Sequence, residues 1–450
     1  MVVAGLVHTV VRVAVLVHVQ EAVRALAINR AVVHVQGVVE VIVINLMNQS
    51  ETKSNWQSRV IKNITFIVTQ DCQLSCRYCY QIGKNNKQRM SYEVAKKAVD
   101  SILSTIYAEN AVVWDFIGGE PFLEIDLLDK ICDYIKIQLY KLNHAWFNNY
   151  RFNITTNGIN YHSDKVQNFI KKNLTHLSIG ITIDGTKRKH DLNRIWKQGT
   201  EERGSYDDVV KNIPLWTSQF PNDGTKVTIS SADLPYVCES VLHLFSLGIH
   251  QVNINCVFEN TWEIGDDLRF EKQLILLADS IIENNLFANY HCSFFNENIG
   301  KPLLLTDNQN WCGAGSMLAV DAAGNFYPCL RFAAYSLREK KPIIIGNIHE
   351  GIDQNKLRPF LTLDRTTQSP QKCIDCEVAS GCAWCQGENY DAAETDTIYQ
   401  RSIAICKMHK ARVRANNYYW NKLFRKLELE GRADEFDEIK SKSSNTSEPC

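Results

Sequence analysis

Short strand-like runs alternate with longer helix-like patterns along this sequence, and the alternation constrains the fold more than any other feature. The runs are apolar on both faces, which is typical of parallel strands buried between two layers. Six such units predict an α/β domain whose parallel sheet curls into a partial barrel with its helices outside. We predict strands at residues 64–69, 112–118, 151–156, 177–183, 226–230 and 251–257. We predict helices at residues 91–107, 125–140, 165–172, 206–219 and 234–247.

Three cysteines follow the first predicted strand directly. Cys72, Cys76 and Cys79 form the pattern Cys-x-x-x-Cys-x-x-Cys. A 4Fe-4S cluster usually takes four cysteine thiolates, so a loop with three leaves one iron open to a small molecule. A zinc site prefers four ligands, often as two Cys-x-x-Cys pairs, and the triplet lacks the fourth. The triplet therefore favours an iron-sulfur cluster over zinc or over three packed thiols.

With the aromatic Tyr78 before its third cysteine, the triplet resembles that of the radical S-adenosylmethionine (radical SAM) enzymes. The resemblance spans about Ile61 to Met408. It implies a partial (β/α)6 TIM-like barrel with the triplet on the loop after the first strand. It also implies a 4Fe-4S cluster and S-adenosylmethionine as cofactors, and reductive cleavage of S-adenosylmethionine to a 5′-deoxyadenosyl radical. An electron donor such as flavodoxin or ferredoxin would be a partner.

The turn after the second predicted strand carries the first candidate residues for binding S-adenosylmethionine. It reads Gly118-Gly119-Glu120-Pro121. The glycines let backbone carbonyls approach a ligand closely, and Glu120 places negative charge near an ammonium group. The tetrapeptide alone is a common turn, but one β-α unit after the triplet it matches the family motif that grips the methionine amino group.

Turns after the next two predicted strands add further candidates. Asn157 belongs to a Thr-Asn-Gly turn and Asp184 to an Asp-Gly turn, and each also fits an ordinary turn or cap. The resemblance places Asn157, Asp184 and Tyr78 near the cofactor. In related maturases an arginine in a run like that around Arg194 contacts the cofactor carboxylate, so we predict this role for Arg194.

A second group of cysteines occupies the C-terminal third of the chain and resembles the SPASM domain, which binds auxiliary 4Fe-4S clusters. The family pattern implies one cluster on four of them and another on three, although the last Cys-x-x-Cys is one residue shorter than usual. Two Cys-x-x-Cys pairs could instead form a zinc ribbon. The four are Cys373, Cys376, Cys382 and Cys406, and the three are Cys312, Cys329 and Cys385.

The three-cysteine set lacks an obvious fourth ligand. Cys292 is a candidate, although it lies twenty residues upstream of Cys312. The alternative is an iron open to a substrate thiolate, because metal coordination stabilises the thiolate form. An open iron would position a cysteine of a peptide.

SPASM proteins act largely on ribosomally made peptides, and two reactions compete for this chain. One joins a cysteine sulfur to a carbon of another residue in a Cys-containing precursor peptide, as in the sactipeptide and ranthipeptide maturases that the chain resembles. The other is formylglycine formation by an anaerobic sulfatase-maturating enzyme, which usually has an acidic base after the Tyr-Pro-Cys cysteine. Leu330 occupies that place and cannot take a proton. A non-catalytic iron-sulfur or zinc protein that binds peptide or carries electrons is the alternative from another class.

Composition limits the location and partners of the protein. The formal net charge of -1 gives no general electrostatic reason to bind nucleic acid. Fifteen cysteines at short spacings in 450 residues favour metal ligation in a reducing compartment, which predicts a cytoplasmic enzyme. Charged residues interrupt each apolar run of the Val-rich start before it reaches membrane-spanning length, so no membrane association is expected. We assign Cys132, Cys238 and Cys256 to packing.

These patterns divide the chain into six predicted segments. They are a Val-rich extension at 1–46, which we interpret as a misassigned start or disordered, a lead-in at 47–60, the radical SAM barrel at 61–258, a helical bridge at 259–307, the SPASM domain at 308–415 and a charged C-terminal tail at 416–450.

Overall fold

The computed structural model describes residues 61–82, 87–105, 107, 109–197, 202–308 and 312–444. The predicted extension at 1–46, the lead-in at 47–60 and the last six residues of the predicted tail lie outside this part of the chain.

Seven strands and eight helices make up the first part of the described chain. The strands are β1 (Ile61–Thr69), β2 (Ala111–Gly118), β3 (Tyr150–Thr156), β4 (Leu177–Ile181), β5 (Thr225–Ile229), β6 (Gln251–Cys256) and β7 (His291–Cys292). The helices are α1 (Tyr92–Leu103), α2 (Ile125–Lys141), α3 (Asp164–Asn173), α4 (Lys187–Asn193), α5 (Tyr206–Val210), α6 (Ile213–Gln219), α7 (Val237–Ser246) and α8 (Asp266–Glu283).

Four short strands and six helices follow. The strands are β8 (Leu318–Val320), β9 (Asn325–Tyr327), β10 (Gly346–Asn347) and β11 (Gly351–Ile352). The helices are α9 (Gln354–Leu361), α10 (Arg365–Gln368), α11 (Gln371–Ile374), α12 (Gln386–Asp391), α13 (Cys406–Leu429) and α14 (Glu435–Ser444).

Strands β1 to β6 lie side by side in chain order, as the alternating pattern predicts. Parallel ladders join β1 to β2, β2 to β3 and β3 to β4, and a second parallel ladder joins β5, β6 and β7. The Thr225 hydroxyl bridges the two ladders by donating to the Ile181 carbonyl at 2.7 Å and accepting from the Ile183 N–H. The fold is thus α/β with the parallel sheet of a partial TIM-like barrel, in agreement with the prediction.

Aromatic side chains fill the layer between the sheet and its helices. Trp114 and Phe116 on β2 are fully buried and contact Phe66 on β1. Phe116 also contacts Phe152 on β3. Because side chains alternate along a strand, Asp115 between these two aromatic residues points to the opposite, concave face of the sheet.

The C-terminal module continues the same sheet on its other side. Strand β8 pairs in parallel with β1, and β9, β10 and β11 extend the order by antiparallel pairs. The resulting eight-stranded order is β11-β10-β9-β8-β1-β2-β3-β4. The sequence pattern did not predict that this module pairs with the first strand of the barrel.

Two predicted helices differ from the observed ones, and proline is present at each break. The predicted helix at 206–219 is split into α5 and α6, with Pro214 in the first turn of α6. The predicted helix at 234–247 begins at Val237, because Pro235 lies in a preceding 3-10 turn. Proline lacks the N–H that a continuous helix needs.

The predicted helical bridge at 259–307 contains helix α8 but also strand β7, which adds an edge to β6. The prediction of a charged tail from residue 416 is wrong for the described residues. Residues 416–429 belong to the long helix α13, which buries Tyr419, Leu423 and Leu427. An amphipathic face with charges outside explains why this segment has a tail-like composition.

Among the residues that the structure describes, no helix combines the length and the apolar character needed to cross a membrane.

Candidate active site

The cysteine triplet lies on the loop that leaves β1 at its carboxyl end. Cys72 is buried, whereas Cys76 and Cys79 are partly exposed. The loop is tightened by a hydrogen bond from the Cys79 N–H to the Cys76 carbonyl at 3.2 Å. It is held from outside by the Arg77 N–H, which donates to the Asn193 carbonyl at 3.0 Å. The triplet is therefore anchored both to the sheet and to the segment that carries Arg194.

The close packing of the cysteine loop requires glycine at both Gly118, the last residue of β2, and Gly119. A Cβ atom at Gly118 would lie 2.3 Å from the Thr69 carbonyl oxygen. One at Gly119 would lie 2.2 Å from the Asp71 carbonyl oxygen and 2.9 Å from the Cys72 Cβ. Such distances are too short for any side chain, so the glycines allow the triplet loop to pack on the end of β2.

Glu120 is buried and organises the end of β3. One carboxylate oxygen accepts from the Thr156 hydroxyl at 2.7 Å and from the Phe122 N–H at 3.0 Å. The other accepts from the Asn157 N–H at 2.7 Å. Burial raises the pKa of Glu120, and these hydrogen bonds oppose that rise. Both oxygens thus bind protein groups, so Glu120 joins two strand ends in addition to the charge role that we predicted from its motif.

Asn157 connects that network to the triplet. Its side-chain amide donates to the side-chain Oε1 of Gln73 at 3.1 Å and lies 3.9 Å from the Cys72 sulfur. The Gln81 amide in turn donates to the Gly118 carbonyl at 2.6 Å. Sequence reasoning did not single out Gln73 or Gln81, although both lie within two residues of a cysteine of the triplet.

Tyr78, Asp184 and Arg194 meet on the other side of the cysteine loop. The Tyr78 hydroxyl donates to an Asp184 carboxylate oxygen at 2.5 Å, and an Arg194 Nη donates to the same hydroxyl at 2.9 Å. Burial raises the pKa of Tyr78 well above its ordinary value, so the phenol stays protonated. Three predicted cofactor-binding residues that are distant in sequence are therefore in direct contact.

The surroundings of Arg194 suit an anionic ligand. It is buried, and its Nε makes no hydrogen bond to any residue that the structure describes. A buried guanidinium N–H without an acceptor is costly, and a carboxylate is the group that best satisfies it. The residues present thus fit S-adenosylmethionine beside a cluster on Cys72, Cys76 and Cys79.

The C-terminal cysteines form two sets in space. Burial raises the pKa of Cys329 well above its ordinary value, and the nearby thiols of Cys312 and Cys385 raise it further. Burial also raises the pKa of Cys385 to about 11, opposed by the charge of Arg331. These three residues are the set for which the family pattern implies one cluster.

The second set brings together the four remaining cysteines of the pattern. Burial raises the pKa of Cys382 to about 11, and Arg401 opposes this rise while Cys406, Cys373 and Cys376 add to it. Arg401 donates to the Cys382 sulfur at 3.1 Å. The pair Cys382 and Cys385 is therefore divided between the two sets, which does not fit a zinc ribbon in which both pairs bind one ion.

Cys292 is buried in the core on β7. Burial raises its thiol pKa to about 12, and a backbone hydrogen bond of Phe294 and the charge of Arg412 oppose that rise. Cys292 also interacts electrostatically with Tyr419 on helix α13. The structure thus places Cys292 in the core under α13, and the hypothesis that it completes the set gains no support from this position.

No three His, Cys, Asp or Glu side chains of the described residues converge as a compact site for one metal ion. In a 4Fe-4S cluster each thiolate binds a separate iron, so groups of neighbouring thiols are the ligands that such a cluster takes. The donor set in both parts of the molecule therefore fits iron-sulfur clusters.

Arg331 connects the two parts of the site. Its guanidinium donates to Glu259 at 3.0 Å and to Glu388 at 3.1 Å. It also lies over the ring of Tyr80, 5.3 Å from the centroid, directly after the triplet. The sequence analysis assigned no role to Arg331. Its neighbour Leu330, which stands where an acidic base would be, is partly buried and packs against the apolar core.

Comparison with known proteins agrees with this geometry. Residues 66–230 match the family model described as the radical SAM superfamily. The chain is 28% identical over 301 residues to an uncharacterised protein of Methanocaldococcus jannaschii, an alignment covering 66% of this chain and 91% of the relative. It is 28% identical over 369 residues to the cysteine-type anaerobic sulfatase-maturating enzyme of Clostridium novyi, covering 76% and 94%.

The solved structure of native anSMEcpe with bound AdoMet and Cp18Cys peptide shares the fold at a TM-score of 0.60. The alignment covers 80% of this chain and 99% of that chain at 18% identity. The chain therefore contains a radical SAM domain. It is an enzyme whose cofactors are a 4Fe-4S cluster and S-adenosylmethionine.

Proposed function

We propose that this enzyme is a radical SAM peptide maturase that forms thioether cross-links from cysteines of a ribosomally synthesised precursor peptide. The observation that carries the proposal is the three-cysteine set, in which the thiols of Cys312, Cys329 and Cys385 lie near one another. A cluster on three protein thiolates leaves one iron for a thiolate of the substrate. A cysteine of the peptide is the group that suits this position.

When bound, the cluster and S-adenosylmethionine supply a 5′-deoxyadenosyl radical that takes a hydrogen atom from the peptide. The protein residues orient the reactants. Arg194 holds the carboxylate of S-adenosylmethionine, and Gly118 and Gly119 let the backbone approach it. Such positioning can contribute roughly 7–11 kcal/mol to the reaction through orientation. An electron donor such as flavodoxin or ferredoxin in the cytoplasm is part of the proposal.

Peptide binding is supported by the relatives. anSMEcpe is solved with a peptide bound, and the Clostridium novyi relative is named as a sulfatase-maturating enzyme. The contact between Tyr80 and Arg331 places the residue that follows the triplet beside the residue two positions after Cys329, so the two parts of the candidate site are neighbours.

Formylglycine formation is the second candidate, because the Clostridium novyi name favours it directly. Leu330 argues against it. The residue opens a 3-10 turn, Leu330–Phe332, and its side chain has no group that accepts a proton.

The two reactions give products that mass spectrometry separates. Reconstituted enzyme, reductant and S-adenosylmethionine should be incubated anaerobically with a Cys-rich peptide encoded beside this gene, and in parallel with a sulfatase peptide. Thioether formation removes two hydrogen atoms per linked cysteine and retains the sulfur, whereas formylglycine formation loses the sulfur. Modification of the sulfatase peptide alone would overturn the proposal in favour of the second candidate.

A further inference from the structure

The concave face of the barrel carries a carboxylate that the cofactor site does not use. Asp115 lies in the middle of β2, paired in register with Thr65 on β1 and Asn153 on β3. One of its oxygens accepts from the Asn153 amide at 2.6 Å. The other lies 3.5 Å from the Thr65 hydroxyl, at the outer limit of a hydrogen bond. One oxygen is therefore anchored, and the other is only weakly engaged.

Two groups from distant parts of the fold face Asp115. Lys226 on β5 interacts with it electrostatically, although β3 and β4 separate β2 from β5 in the sheet. Lys226 and Asp115 therefore interact across the concave interior of the barrel. Tyr80, which follows the last cysteine of the triplet, also interacts electrostatically with Asp115. Asp115 therefore lies inside the barrel on the side that the triplet loop covers.

The state of Asp115 suits a proton acceptor. Burial raises its pKa, and the hydrogen bonds of Asn153 and Thr65 and the charge of Lys226 oppose the rise. A carboxylate with a raised pKa is a stronger base than an ordinary one. The side chain nevertheless keeps part of its surface accessible, so another group can reach it.

The neighbouring carboxylates have other partners. Glu120 binds Thr156, Phe122 and Asn157, and Asp184 accepts from Tyr78. Glu259 pairs with Arg331. These contacts leave Asp115 as the carboxylate best placed to act on a substrate in the barrel.

We propose that Asp115 accepts the proton of the target cysteine thiol in the substrate peptide. The S–H bond breaks, the proton moves to the weakly engaged Asp115 oxygen, and the electron pair stays on sulfur as the thiolate. The step needs no oxidant or reductant. It rests on the proposed peptide substrate.

The test compares Asp115→Asn with Asp223→Asn. Asp223 is also a half-buried aspartate with a pKa raised by burial, but it precedes β5 and accepts from Ser178 and the Ile179 N–H at the opposite end of the sheet. We expect Asp115→Asn to slow peptide modification by roughly 10²- to 10⁴-fold, the usual size of a general-base effect. 5′-Deoxyadenosine formed without peptide should stay at the wild-type level in both variants.

Two measurements separate proton acceptance from a structural role. Wild-type peptide modification should fall as the pH drops through the raised pKa of Asp115, because the acid form cannot accept a proton. The remaining activity of Asp115→Asn should lack this acidic limb. Lys226 and Tyr80 face Asp115, so Lys226→Met should move the limb to higher pH by removing a positive charge.

A readout independent of turnover is an infrared titration of wild-type protein against Asp115→Asn. We expect the carboxylate band that the variant lacks to titrate above the ordinary aspartate value of about 3.9. An ordinary pKa, or a variant that modifies peptide at the wild-type rate, would overturn the role of Asp115. A wild-type enzyme that forms 5′-deoxyadenosine but modifies no peptide would instead overturn the proposed function, whatever the titration shows.

Discussion

The barrel and the C-terminal cysteine module position their cysteines in two different ways. Barrel strands β1 to β6 are five to nine residues long, whereas β8 to β11 have only two or three residues each. In the barrel, ladders and a buried aromatic layer fix the strand ends that position the triplet. In the module, loops and short helices present most of the thiols. The module therefore depends more on its clusters for order, since metal binding and folding are coupled where little else holds the ligands.

The largest expected effect distinguishes the two kinds of cysteine. Cys76→Ala should reduce 5′-deoxyadenosine formation to background, because we propose that the triplet holds the cluster to which S-adenosylmethionine binds. Cys376→Ala should keep peptide-independent 5′-deoxyadenosine formation while lowering iron content. Product assays and iron analysis on anaerobically reconstituted protein check both. Equal loss in the two variants would mean that the module is needed to build the barrel site.

The next effect concerns ligand binding in the preorganised barrel. Arg194→Lys should weaken S-adenosylmethionine binding roughly 10- to 100-fold, because a hydrogen bond to a charged group contributes about 1.5–3 kcal/mol and lysine lacks the planar donor set. Equilibrium dialysis of reconstituted protein measures the affinity. Arg77→Lys is the matched control, since the Arg77 side chain is exposed and forms a surface pair with Glu202. An unchanged affinity of Arg194→Lys for S-adenosylmethionine would show that Arg194 does not bind this cofactor.

A smaller effect tests the close packing of the triplet loop. Gly119→Ala places a methyl group against the Asp71 carbonyl and Cys72, so we expect a loss of about 1–3 kcal/mol in the free energy of unfolding. Iron bound by the triplet should fall with it. Gly180→Ala is the control, because the nearest atom to its added Cβ, the Gly224 carbonyl oxygen, lies 3.3 Å away. Denaturant unfolding and iron analysis should separate the two variants.

The smallest effect concerns a cysteine assigned to packing. Cys132 is fully buried on α2, and burial raises its thiol pKa well above the ordinary value. Cys132→Ala should cost about 1 kcal/mol of stability by removing one buried atom, with iron content unchanged. Thermal unfolding and iron analysis give both values. A drop in iron would show that Cys132 is more than a packing residue.

Local patterns in the sequence predicted much of this molecule. The strand and helix alternation predicted the parallel sheet, because buried strands and amphipathic helices differ in period over short windows. The two C-terminal cluster ligand sets implied by the family pattern stay a prediction, and the thiols assigned to each set do interact with one another. The prediction for residues 416–429 failed because composition alone does not reveal which helix covers an apolar face.

The sequence by itself indicated the chemistry that we propose for the site, since the spacing within the triplet and the motif after each strand are patterns of a few neighbouring residues. Only the tertiary structure decided that Cys292 is buried on β7, that β8 pairs with β1 and that Asp115 interacts with Lys226 on a distant strand. These contacts join residues that are far apart in the chain. Their geometry depends on how the sheet curves and packs, which no local pattern of residues specifies.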